Sequence, residues 1–100
     1  MTEAQIQKQS AEYLRACGCL VYRLNSGVVK GASGRYVRLC PAGTPDLLVV
    51  DRLGQTWWIE IKRGDGALND AQVDMHRLLE ARGQRVLVIR DPGELMRMEF

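Results

Sequence analysis

The sequence contains a single histidine, His76, and only three cysteines, none of them in a CxxC pair. One histidine excludes most Ser-His, Cys-His and two-histidine metal sites. The odd number and the spacing of the cysteines argue against a disulfide framework and against a structural zinc site. We therefore expect small buried thiols at Cys17, Cys19 and Cys40, and a histidine on the surface of a helix.

Long apolar runs are also missing from the chain. No segment approaches the roughly 20 apolar residues of a membrane-spanning helix, and the polar, amphipathic N-terminal segment does not have the pattern of a signal peptide. The chain has 100 residues, of which 46% are hydrophobic and 26% charged. This size and balance are typical of one globular domain, here residues 1–100, and we expect it to be cytoplasmic.

Acidic residues are absent from positions 13–45, although this stretch carries Arg23, Lys30, Arg35 and Arg38. A basic segment of this kind is suited to binding nucleic-acid phosphates. A solvated loop whose basic residues serve only solubility would show the same pattern. The net charge of only +2 does not distinguish this interpretation from phosphate binding.

The apolar periodicity predicts a mixed β-sheet flanked by helices, an α/β fold. Two capping boxes, Thr2-x-x-Gln5 and Asn69-x-x-Gln72, predict helices over residues 3–17 and 69–82, and a short helix is predicted after Asp91. The glycine-rich stretch 26–35 lacks the ending of a P-loop and is predicted to be a mobile loop. The predicted strands are 19–25, 36–40, 46–51, 56–62 and 84–90, with a hairpin around 52–55.

Charged residues interrupt the segments that look most buried. Strand alternation places Glu60 and Lys62 on one face, and Asp46 falls opposite Glu60 if Val50 pairs with Thr56 in an antiparallel hairpin. Two neighbouring carboxylates in a sheet require either a proton or cations that hold them. A surface hairpin, on which Glu60 and Lys62 are merely an exposed pair, is the alternative interpretation.

A divalent cation suits these groups, because Mg²⁺ typically binds one or two carboxylates, several waters and a substrate phosphate. We therefore predict metal-assisted cleavage of a phosphodiester, with Asp46, Glu60 and the backbone carbonyl of Ile61 as ligands of Mg²⁺ or Mn²⁺. The ion would lower the pKa of a bound water and polarise the phosphate. Lys62 would orient the attacking water or neutralise charge growing on the phosphate.

Polar residues also interrupt the inward-facing stripes of both predicted helices. Gln72 occupies a position where an apolar residue is expected, and it either assists the site or serves only as the cap of its helix. Glu3, one turn before Gln7, is either a further ligand of the metal or water, or a first-turn acid favoured by the helix dipole.

The order of these motifs resembles the PD-(D/E)XK nuclease core, and more closely its virus-type replication-repair nuclease branch, the VRR-NUC domain. Asn69 stands where that family more often carries Ser or Thr, and asparagine caps a helix equally well. The resemblance spans about residues 2–90 and rests on a helix that begins with Glu3, YRLNSG at 22–27, GTPDL at 43–47, IEIKR at 59–63, and LNDAQ at 68–72.

The resemblance implies a restriction-endonuclease-like fold and a Mg²⁺- or Mn²⁺-dependent endonuclease that acts on branched DNA. Family members of this stand-alone size resemble viral or prophage proteins, and the implied activity is Holliday-junction resolution by a homodimer in a bacterial or phage-infected cell. Asp46, Glu60 and Lys62 would carry the chemistry, supported by Gln72 and Glu3. The candidate DNA contacts, chosen by charge and location, are Arg23, Asn25, Lys30, Arg35, Arg38 and Arg63.

Two other functions are compatible with the same residues. Larger relatives, in which this domain is fused to others, are similar to flap-cleaving repair nucleases, so a flap or restriction-type nuclease with the same triad is one alternative. A non-catalytic DNA-binding module that has kept the fold is the other.

Overall fold

The computed structural model describes residues 1–24 and 28–100. The predicted helices and strands are present, most of them slightly shorter than expected, and none of the helices in these two ranges is long and apolar enough to cross a membrane. The elements in chain order are α1 (Glu3–Ala16), β1 (Leu20–Arg23), β2 (Val28–Lys30), β3 (Tyr36–Arg38), β4 (Leu47–Val50), β5 (Thr56–Ile61), α2 (Asp70–Ala81), β6 (Arg85–Ile89) and α3 (Gly93–Met96).

The prediction of a mobile loop over residues 26–35 is wrong for part of that stretch. Residues 28–30 form β2, which pairs antiparallel with β3 in a separate two-stranded hairpin. The β-branched side chains of Val28 and Val29 favour this extended conformation. Gly34, at φ +82°, donates from its N–H to the Gly31 carbonyl at 3.0 Å and closes the turn.

The main sheet has four strands in the order β1-β4-β5-β6. The first three are antiparallel, whereas β6 runs parallel to β5. Val50 lies opposite Thr56, which confirms the predicted register of the β4–β5 hairpin. A slip of one residue would transfer every side chain to the other face of the sheet, so this register decides where Asp46 and Glu60 point.

Asp51 organises the turn that sets this register. Its Oδ1 accepts hydrogen bonds from the backbone N–H groups of Leu53 and Gln55, both at 2.9 Å. Its Oδ2 accepts from the indole Nε1–H of Trp57 at 3.0 Å. These three donors stabilise the charged form, and the Trp57 hydrogen bond is the main reason that the pKa of Asp51 is lowered.

The two faces of the four-stranded sheet are covered differently. Alternate residues of β4, β5 and β6 form the core with α1, α3 and Cys19: Ile6, Leu14, Cys19, Leu47, Val49, Ile59, Ile61, Ile89 and Leu95. The intervening positions, which include Glu60, point to the opposite face, where α2 packs against β6. The charged residues of the predicted site therefore stand on the α2 face, outside the main apolar core.

The three cysteines are all free thiols. Cys19 is buried as expected, whereas Cys17 and Cys40 are only half-buried.

Candidate active site

The loop before β4 presses the start of that strand against the first turn of α2. Thr44 donates to the Pro41 carbonyl from both its backbone N–H, at 3.2 Å, and its hydroxyl, at 2.6 Å. Gly43 has a φ of +84°, and a Cβ built on it would overlap the Ala71 carbonyl in α2. The positive φ and the lack of space for a Cβ both require glycine at position 43. This glycine explains the start of the GTPD motif, because it lets the loop contact α2 and so places Asp46 beside β5.

Gly43→Ala is therefore expected to destabilise the fold more than an ordinary glycine substitution. Gly54→Ala is the matched control, because Gly54 has a similar φ of +80° but nothing within 4 Å of the added Cβ. The control should lose about 1–2 kcal/mol from the left-handed backbone alone. Gly43→Ala should lose a further ~1–3 kcal/mol from the overlap. Urea unfolding measures both losses, and equal values would contradict the close approach of loop and helix.

Asp46 and Glu60 meet at the end of the β4–β5 pair. Asp46 Oδ2 accepts a hydrogen bond from the backbone N–H of Ile61 at 2.7 Å. In an extended strand the N–H and C=O of one residue point to the same neighbouring strand, so the Ile61 carbonyl also faces the side on which Asp46 lies. Three oxygen-bearing groups thus converge: the two carboxylates and this carbonyl.

Glu60 is 2% exposed, an unusual environment for a carboxylate. Burial, together with a hydrogen bond to Asp46 and the charge of Asp46, raises the pKa of Glu60 to about 9. The positive charge of Lys62 acts in the opposite direction and favours the ionised form. Without a cation, Glu60 therefore holds a proton at neutral pH, which is one of the two ways in which adjacent carboxylates can be accommodated.

Helix α2 supplies the hydrogen-bond partners of Glu60. Gln72 donates from Nε2 to Glu60 Oε2 at 3.5 Å, while its Oε1 accepts from the backbone N–H of Asn69 at 3.0 Å. The Asn69 side chain in turn accepts from the Gln72 N–H at 2.9 Å, completing the predicted capping box. The capping interpretation of Gln72 is thus confirmed, and the cap, by using the side-chain oxygen, directs the nitrogen to Glu60. That Gln72 assists the chemistry of the site stays a prediction.

His76 is the residue that the sequence analysis placed wrongly. It is 6% exposed rather than on the surface, and its Nε2 lies 3.1 Å from Glu60 Oε1. Burial lowers the pKa of His76, so the imidazole is neutral at neutral pH. The available signal was its spacing, since a residue four positions after Gln72 lies one turn farther along the same face of the helix.

Glu3 and Lys62 complete the cluster. Glu3 Oε2 accepts a hydrogen bond from the backbone N–H of Arg63 at 3.4 Å, which brings the first turn of α1 to the end of β5. The charge of Glu3 contributes to the raised pKa of Glu60. Lys62 is half-buried, and its backbone N–H donates to the Ile89 carbonyl at 3.0 Å. The ends of α1, β5 and α2 thus converge on the start of β4.

Comparison with solved structures matches this arrangement to a structure described as a "VRR_NUC domain". The two chains are 27% identical with a TM-score of 0.73, and the match covers 98% of this chain and 97% of the other. The chain shares the fold of a VRR-NUC domain. No protein-family model matches the sequence, and no curated protein matches it. The VRR-NUC fold is of the PD-(D/E)XK type, and the match supports a nuclease domain.

The oxygen-rich end of this VRR-NUC-type fold suits a hard divalent cation. No three His, Cys, Asp or Glu side chains among residues 1–24 and 28–100 are grouped so as to hold a metal ion. A cation would therefore rely on Asp46, Glu60, the Ile61 carbonyl and oxygens from water or phosphate, a set that Mg²⁺ accepts. The buried, protonated Glu60 beside Asp46 supports this fit, because a cation in place of the proton would hold both carboxylates.

The candidate DNA contacts are distributed around the VRR-NUC-type core rather than gathered at it. Arg63 is exposed and adjoins the cluster through Glu3. Arg23 pairs with Leu47 and therefore points to the face opposite Asp46. Asn25 lies outside the described residues. The remaining three are exposed on or beside the separate β2–β3 hairpin: Lys30, Arg35 and Arg38.

Proposed function

We propose that the chain is a metal-dependent, structure-selective DNA endonuclease that hydrolyses phosphodiester bonds in four-way junctions. The observation that carries this proposal is the convergence of Asp46, Glu60 and Lys62 at one end of the sheet. The likeness to a VRR-NUC domain supports the nuclease part of it. The proposed setting is the cytoplasm of a bacterial or phage-infected cell, where branched DNA arises.

Each residue of the cluster has a task in this proposal. Asp46, Glu60 and the Ile61 carbonyl would hold Mg²⁺ or Mn²⁺, which supplies a bound water of lowered pKa and polarises the scissile phosphate. The Ile61 N–H orients Asp46, and Gln72 orients Glu60. Lys62 would position the attacking water or offset the charge that grows on the phosphate. Glu3 would hold a further water or ion at the edge of the site.

Exposed apolar surface supports a homodimer. The edge strand β1 exposes Leu20 and Tyr22, and the β2–β3 region exposes Val28, Val29, Tyr36, Val37 and Leu39. Exposed apolar side chains of this size favour an interaction surface, and the outer edge of β1, to which the described residues pair no strand, adds donors and acceptors. A twofold dimer would present two sites to the two symmetry-related strands of a four-way junction.

Basic residues support DNA as the substrate. Lys30 and Arg35 extend from the hairpin, and Arg63 borders the acidic cluster. Contacts of such side chains with phosphates position a duplex without reading its bases. We therefore expect selection by the shape of the DNA rather than by its sequence.

A cleavage assay on a four-way junction, a flap and a linear duplex of matched sequence tests the proposal. With Mg²⁺ or Mn²⁺ we expect paired, symmetric nicks in the junction and little cutting of the duplex. A single nick beside the flap, with an uncut junction, would assign the same residues to a flap nuclease. Equal cutting of junction and duplex would contradict structure selectivity. Junction binding without cleavage under any divalent metal would indicate a DNA-binding module.

A further inference from the structure

Glu60 has a partner in α2 whose role is not explained by the chemistry proposed above. The Nε2 of His76 lies 3.1 Å from Glu60 Oε1, and the Nε2 of Gln72 lies 3.5 Å from Oε2. Each carboxylate oxygen therefore has its own nitrogen neighbour. The two neighbours are four residues apart on one face of α2, so they approach Glu60 from the same rigid element.

The position of the ring hydrogen of His76 follows from the charge of Glu60. An ionised carboxylate only accepts hydrogen bonds, so a contact with metal-bound Glu60 requires the hydrogen of the imidazole to be on Nε2. With its hydrogen on Nε2, the ring restrains the carboxylate as a hydrogen-bond donor at 3.1 Å.

We propose that His76 is a positioning residue whose Nε2–H hydrogen bond fixes the plane of the Glu60 carboxylate and so directs its oxygens to the divalent cation. This inference rests on the proposed metal-dependent function. The Gln72 contact is the longer of the two, so His76 provides the stronger restraint. Hydrogen-bond partners of metal-ligating side chains typically contribute about 10–100-fold to metal affinity or activity.

Calorimetric titration of the full chain with Mn²⁺, in the absence of DNA, tests this role. His76→Leu replaces the donor by apolar bulk, and His76→Gln keeps an N–H donor at comparable reach. We expect His76→Leu to weaken Mn²⁺ binding about 10–100-fold and His76→Gln to restore most of the loss. In junction cleavage, the kcat of His76→Leu should fall at fixed Mn²⁺ and recover at higher Mn²⁺, with the KM for DNA unchanged.

Leu79→Ala is the control for a loss of packing. Leu79 is half-buried three residues farther along α2, so this variant should lose stability and keep its Mn²⁺ affinity. If His76→Leu does not fold, His76→Gln is compared with His76→Asn. The shorter amide of asparagine reaches Glu60 less well, so the His76→Asn chain should bind Mn²⁺ more weakly. The role of His76 would be overturned if His76→Leu bound Mn²⁺ as tightly as wild type. It would also be overturned if His76→Gln lost as much Mn²⁺ affinity as His76→Leu. A wild-type chain that binds no Mn²⁺ would instead refute the proposed metal dependence.

Discussion

Replacing Lys62 by methionine is expected to lower the rate of junction cleavage by about 10²–10³-fold, the usual loss when one charge-stabilising group is removed from an active site. The half-buried Lys62 projects from the same face of the sheet as Glu60, and its charge favours the ionised form of that carboxylate. Methionine keeps the aliphatic stem and removes only the amine. The effect should therefore fall on the chemical step rather than on the fold.

Single-turnover cleavage at saturating protein and Mg²⁺ isolates this step, and a gel-shift titration with Ca²⁺ reports DNA binding separately. Arg52→Met is the matched control, because it removes the same charge from an exposed position in the turn at the far end of β5. We expect the Lys62→Met variant to bind the junction but not to cut it, while the control cuts normally. A Lys62→Met chain that cleaves at the wild-type rate would remove Lys62 from the mechanism.

The metal-free protein is expected to lose stability as the pH rises from about 4.5 to about 9, and Glu60 is the reason. Its pKa of about 9 in the fold lies above the ordinary glutamate value of 4.5, which we take for the unfolded chain. Between these values the native state binds the proton and the unfolded state has released it. The free energy of unfolding therefore falls by about 1.4 kcal/mol per pH unit across this window, and the contribution of Glu60 is complete only below pH 4.5.

Glu60→Gln should remove this dependence. The amide is uncharged at every pH and has nearly the same shape. Its oxygen can accept from Gln72 Nε2 while its NH2 group donates to His76 Nε2, so the variant should be more stable than wild type at pH 8. Urea unfolding in EDTA over a series of pH values measures the difference, in which the titration of all other groups cancels to first order. Added Mn²⁺ should stabilise wild type and not Glu60→Gln. Parallel pH profiles would contradict a protonated Glu60 in the metal-free fold.

Predictions from the sequence were most accurate where the deciding interaction is local. Thr2 and Asn69 each cap a helix through a partner three residues away, and both capping boxes are present. The Val50–Thr56 register followed from the short connection between two strands, and it aligned position 46 with Glu60. The β2 strand was not predicted, because its glycine-rich surroundings resemble a loop and its partner was unknown.

The amino-acid sequence by itself therefore determined the helices, the strands of the main sheet and the pairing that places Asp46 beside Glu60, since capping, alternation and hairpin closure act over a few residues. Only the tertiary structure decided that His76 is buried against Glu60, that Glu3 reaches Arg63, and that Arg23 faces away from the acidic pair. Those contacts depend on how whole helices pack across the sheet. Such packing brings together residues that are distant in the chain, and no short-range pattern encodes it.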